Sequence, residues 1–75
     1  MSLTKTIHAD DYKDLVDKLV DARKKANLTQ KDVANIINCS QSYISKIENY
    51  QVRIDPIQLK NFAEIYHVDA YSLLS

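Results

Sequence analysis

Residues 30–49 read QKDVANIINCSQSYISKIEN, and they decide the fold. Thr29 precedes them and can cap a helix from Gln30 to about Ile37, with Val33, Ala34 and Ile37 facing inward and Asp32 in the first turn. Asn38, Cys39 and Ser40 form a brief connection, and Ser40 can cap a third helix, Gln41 to Asn49, with Tyr43, Ile44 and Ile47 on its apolar side. Two short helices thus meet at a tight turn. Ala34 lacks bulk, so the third helix can cross the second closely at a large angle that pushes its opposite face outward. Helical spacing leaves Gln41, Ser42, Ser45, Lys46 and Asn49 on that outer face, polar and mostly able to donate and accept hydrogen bonds. A plainly solvated helix would be richer in Glu, and this face has none.

Upstream, Tyr12, Leu15, Val16, Leu19, Ala22 and Ala26 recur at three- and four-residue intervals, which predicts a first helix from Asp11. It should stop around Asn27, which tolerates a left-handed backbone, with Lys24 and Lys25 at the negative end of the dipole. Downstream, after a loop at Tyr50 to Asp55, Pro56 occupies a first helical position capped by Asp55, and Leu59, Phe62, Ala63 and Tyr66 mark the inner face of a fourth helix. Asp69 caps a last helix through Leu73. Without glycine or alternating β-branched runs, the pattern is all-α: five helices and no strands. Residues 1–10 read as an N-terminal arm, of which Met1, Ser2 and Leu3 are as readily a cloning remnant as native sequence, and residues 11–75 as one domain.

The 75 residues allow a single small core, and 45% hydrophobic with 27% charged residues is an ordinary globular balance. No apolar run is long enough to span a membrane and no signal peptide opens the chain, so a cytoplasmic protein without membrane contact is expected. One cysteine, Cys39, and two distant histidines, His8 and His67, offer no internal disulfide and no zinc-ligand spacing; no metal and no cofactor are expected. Nor is there a nucleophile and base pair or a phosphate loop, so no catalytic residues are assigned and an enzyme is not expected. The zero net charge conceals a sorting: residues 23–53 carry six cations against two anions, net +4, between flanks of −2 each. A basic middle between acidic ends suits a polyanion docking in one orientation.

Gln30 through Asn49 resembles the helix-turn-helix of the Cro and phage-repressor family, the XRE family. The likeness rests on apolar residues at Val33, Ile37, Cys39, Ile44 and Ile47, small Ala34, and the string Tyr43-Ile44-Ser45-Lys46-Ile47-Glu48-Asn49. It extends from about Leu15 to Leu74, with Leu28-Thr29-Gln30 and Val68-Asp69 in the family's usual places. The resemblance implies a five-helix, lambda-repressor-like DNA-binding domain whose helix-turn-helix is formed by helices 2 and 3, with helix 3 in the major groove of double-stranded DNA. On that footing Gln41 reads adenine N6 and N7 and Lys46 guanine O6 and N7, while Ser42 and Ser45 contact base edges or phosphates. Tyr43 packs on a thymine methyl or donates to phosphate, or is simply core. Gln30 is placed on a phosphate at the start of helix 2, Asn49, Gln51 and Arg53 form a second phosphate clamp, and Arg23 with Glu48 makes a structural ion pair between helices 1 and 3.

Two positions depart from the family's glycines. Asn38 at the turn is a mild change, whereas Tyr50 after Glu48-Asn49 suggests a loop on another path, with Asn49 as the left-handed residue. A homodimeric regulator, a repressor of phage, plasmid or restriction-modification type, is the leading expectation, since one short helix contacts too few base pairs and two half-sites roughly double the readout. Ser42-Tyr43-Ile44-Ser45 looks like the recognition segment of restriction-modification controller proteins. Leu73, Leu74, Ile65 and Tyr71 offer apolar surface for pairing, Leu73 reading rather as core. An antitoxin with a toxin partner, or a protein-interaction module on the same fold, are the alternatives.

Overall fold

A computed structural model describes residues 9–74 as five helices: α1 Ala9–Lys25, α2 Gln30–Ile37, α3 Gln41–Glu48, α4 Pro56–Ile65 and α5 Ala70–Leu74. Among the described residues there is no strand. Helix α1 begins two residues ahead of the expected Asp11 and ends at Lys25 rather than Asn27. Most of the expected N-terminal arm, residues 1–8 with His8, lies outside the described residues.

Local chemistry explains the boundaries. Thr29 and Asp55 each build a reciprocal capping box with the third residue of the helix they open, Asp32 and Gln58. Ser40 caps α3 by accepting from the Tyr43 amide at 3.1 Å, and the Tyr71 amide donates to Asp69 at the start of α5. The helix ends share one device. Leu28, Cys39, Gln51 and Val68 each donate an amide to a carbonyl five residues back, at 3.2, 2.9, 2.8 and 3.0 Å. The residue before each, Asn27, Asn38, Tyr50 and His67, has φ of 62°, 61°, 65° and 59°. This left-handed closure normally falls to glycine, which the chain lacks. Asn27 and Asn38 adopt it with little penalty, whereas Tyr50 and His67 bear a cost of about 1–2 kcal/mol each.

The expected path of the α3–α4 loop is therefore corrected. Asn49 has φ −99°, and Tyr50 itself takes the left-handed turn. Contacts remote in sequence hold it there: its hydroxyl donates to the Asp17 carboxylate on α1, and Lys13 Nζ stands 5.5 Å from its ring centroid.

The core gathers Leu19, Ala22, Val33, Ala34, Ile44, Ile47, Leu59, Phe62, Ala63, Tyr66 and Leu73, with Val16 fully buried on α1. Of the expected α1 stripe, Tyr12, Leu15 and Ala26 are only half-buried, because α1 packs against α3 and α5 along a narrower face. Phe62 and Tyr66 stack at 5.9 Å between centroids, and burial pushes the Tyr66 phenol far above its ordinary range, keeping it neutral. At the C-terminal end Leu73 is buried and Ile65 half-buried, while Tyr71 is 80% and Leu74 62% exposed.

Candidate nucleic-acid interface

Small Ala34 is buried beneath the α2–α3 turn and its carbonyl receives the amides of both Asn38 and Cys39, which closes the turn tightly. Helix α3 follows directly from this turn and packs on α2, with Ile44 and Ile47 inward and Tyr43 half-buried. Gln41, Ser42, Lys46 and Asn49 are exposed along the opposite face and Ser45 is half-exposed among them. Burial also draws the thiol of half-buried Cys39 above its ordinary range, which favours its protonated form.

One carboxylate fixes the pose of α3. Glu48 Oε2 accepts from Arg23 Nε at 2.7 Å and Glu48 Oε1 from Arg23 Nη2 at 3.0 Å, and Arg23 Nη1 donates to the Leu28 carbonyl at 2.9 Å. Both side chains are nearly buried, 10% and 11% exposed. Gln30 Nε2 adds a third hydrogen bond to Glu48 Oε1 at 2.9 Å, so that α1, α2 and α3 converge on one residue. The hydrogen-bonded carboxylate raises the Arg23 pKa further above its already high ordinary value, so the guanidinium stays charged. The only acidic residue of α3 is thereby turned inward and neutralised, and the outer face keeps Lys46 as its only formal charge.

The expected phosphate residues fall into two groups. Gln30 and Asn49 line one hollow of about 360 Å³, together with Lys24 and Tyr50. There Asn49 turns its amide back, donating from Nδ2 to the Ser45 carbonyl at 2.9 Å and to Ser45 Oγ at 3.2 Å, which finishes α3. Gln51 and Arg53 stand apart on the following loop, both exposed. The Arg53 guanidinium lies 4.2 Å from the Tyr12 ring centroid. Tyr12 Oη accepts the Ile54 amide at 3.1 Å and donates to the Val52 carbonyl at 3.2 Å, binding the loop to α1.

Several residues of this site escape the sequence reading. Gln58 of α4 donates from Nε2 to Tyr43 Oη at 2.7 Å; only its role in the cap has a local signature, in the Asp55-x-x-Gln58 spacing. The Tyr12 clamp spans 40 and 42 positions and the Tyr50–Asp17 bond 33, with no pattern in the chain to announce them.

A helix-turn-helix family model matches residues 19–73, which takes in α2, α3, α4 and most of α5. Among solved structures, an XRE-family like protein from Pseudomonas syringae pv. tomato str. DC3000 superimposes with a TM-score of 0.84 at 40% sequence identity, covering 99% of this chain and 90% of that one. No curated protein matches the sequence.

Proposed function

The chain belongs to the XRE family of helix-turn-helix DNA-binding regulators, and on that premise we propose that it is a sequence-specific repressor acting as a homodimer on an inverted-repeat operator in the cytoplasm. One observation carries the reading. The single carboxylate of α3 is sequestered in the Arg23–Glu48–Gln30 cluster, which leaves an exposed face of amide, hydroxyl and ammonium groups on a rigidly held helix. Such a face offers the donors and acceptors that base edges in a major groove require, free of repulsion from phosphate.

Gln41, at the first turn of α3, and Lys46, one turn on, are the base-reading pair, with Ser42 and Ser45 between them on base edges or phosphates. The Tyr43 ring sits at the margin of the groove, in reach of a thymine methyl. Gln30, Asn49, Gln51 and Arg53 hold the strand backbones and set the register. Asn49 reaches a phosphate only by releasing Ser45. Tyr71 and Leu74, exposed on α5 and three residues apart, favour an isologous pairing of two copies, which brings two recognition helices to successive turns of one duplex face.

Selection from random duplexes tests the proposal. Recovery of an inverted repeat with half-site centres about 34 Å apart is the expected result. Absence of enrichment at low salt contradicts DNA recognition, and recovery of an unpaired half-site contradicts the dimer.

A further inference from the structure

We propose that Gln58 on α4 is a positioning residue for DNA binding, obliging the Tyr43 hydroxyl to present its proton to a phosphate oxygen of the duplex. The inference rests on the DNA-binding reading above.

The constraint begins at a helix cap. The Asp55 amide donates to Gln58 Oε1 at 3.0 Å, and the Gln58 amide returns a hydrogen bond to Asp55 Oδ1 at 2.8 Å. The carbonyl end of the Gln58 side chain is thereby committed, and its amino end faces the other way. There it donates to Tyr43 Oη at 2.7 Å. A phenol oxygen that accepts retains one proton to give, and no acceptor among the described residues takes it. The capping box of α4 thus sets the polarity of a side chain on α3.

The pair lines a cleft of about 190 Å³ between α4 and the α2–α3 joint, with Cys39 and Asn61. Tyr43 is half-buried there, whereas Gln41, Ser42 and Lys46 are exposed, a difference that suits its hydroxyl to a strand backbone at the groove margin rather than to base edges. Phosphate oxygens only accept, so a phenol held as a donor suits them, and the Gln58 amide removes the competing orientation in advance.

Affinity for the selected duplex, measured for the wild type, Tyr43→Phe, Gln58→Glu and the double variant, tests this, with melting curves to show that each is folded. A glutamate at 58 keeps the capping box, because its carboxylate accepts the Asp55 amide. It offers Tyr43 an acceptor instead of a donor, however, and draws the hydroxyl proton inward. Tyr43→Phe is expected to weaken binding about tenfold on every sequence, without altering the salt dependence because no charge is lost. Gln58→Glu should weaken it at least as much, yet in the Tyr43→Phe background cost only its own charge penalty, so the cycle departs from additivity by about tenfold. Gln58→Met, which removes the donor without adding an acceptor, should fall between the wild type and Gln58→Glu. An additive cycle, or Tyr43→Phe binding like the wild type, overturns the proposal while DNA recognition stands. Relaxed preference at one base pair in Tyr43→Phe overturns the phosphate assignment. A wild type that binds no duplex at low salt overturns the proposal together with the reading beneath it.

Discussion

Tyr50 donates its hydroxyl to the Asp17 carboxylate of α1 while its own backbone occupies the left-handed region usually reserved for glycine. A strained residue is held at the exit of α3 by a contact that reaches back to the first helix, and Asp17 in turn lifts the Tyr50 phenol above its usual range. His67 has the same backbone at the end of α4, and among the described residues its side chain makes no hydrogen bond to compare.

Relieving the backbone at His67 and removing only the side-chain bond at Tyr50 separates strain from compensation. His67→Gly should raise the melting temperature by about 4–8 °C, the shift that about 1 kcal/mol produces in a domain of this size. Tyr50→Phe, which keeps the strain and loses the bond to Asp17, should lower it. Thermal melts followed by circular dichroism decide both, and a destabilised His67→Gly would show that its backbone is not strained.

The Arg23–Glu48 pair should behave as a buried pair does. Glu48→Ala strands the guanidinium and leaves Gln30 without its acceptor, at a cost of about 3–5 kcal/mol. Replacing both members together by methionine should recover most of that loss, since neither charge is then left uncompensated. Urea midpoints at constant slope measure this; a double variant as unstable as the single one would mean that the pair contributes net stability.

At the start of α2, Asp32 accepts from the Thr29 amide at 2.8 Å, and this hydrogen bond holds its pKa below the ordinary carboxylate value. With the folded value depressed, the stabilisation is complete above about pH 4 and fades as pH falls through the folded pKa. Asp32→Asn should therefore melt below the wild type at pH 7, and the gap should close as pH falls through the depressed folded pKa of Asp32. A gap of constant size would assign the effect to geometry rather than to charge.

Arg53 rests on the Tyr12 ring, and the loop that carries it is bound to α1 through the Tyr12 hydroxyl. As a phosphate contact, Arg53→Gln should weaken all duplexes alike and reduce the slope of log affinity against log salt by about one. Tyr12→Phe keeps the ring beneath the guanidinium and should leave that slope intact while lowering stability through two lost hydrogen bonds. Titrations at several salt concentrations read both, and an unchanged slope in Arg53→Gln would remove Arg53 from the interface.

What could be read from the chain follows the range of the interactions. The starts of α2, α3 and α4 are spelled out by Thr29, Ser40 and Asp55 because capping is a three-residue affair, and Ile44 and Ile47 declare the buried side of α3 by spacing alone. The same local logic fails at Tyr50. Intrinsic preference favours Asn49 for the left-handed turn, but Asp17 and Lys13, more than thirty positions upstream, outweigh it. The hydrogen bonds from Gln30 to Glu48 and from Gln58 to Tyr43 escape sequence analysis for the same reason, since each joins helices that only the assembled fold brings together.

The most direct measurement compares binding profiles of the wild type and Gln41→Ala across every single-base variant of the selected duplex. If α3 reads bases from its exposed face, Gln41→Ala loses about 1–3 kcal/mol of discrimination at one base pair of each half-site and keeps its preferences elsewhere. Uniform weakening across all variants, with the pattern of preferences unchanged, would contradict base reading by Gln41 and with it the role assigned to the face of α3.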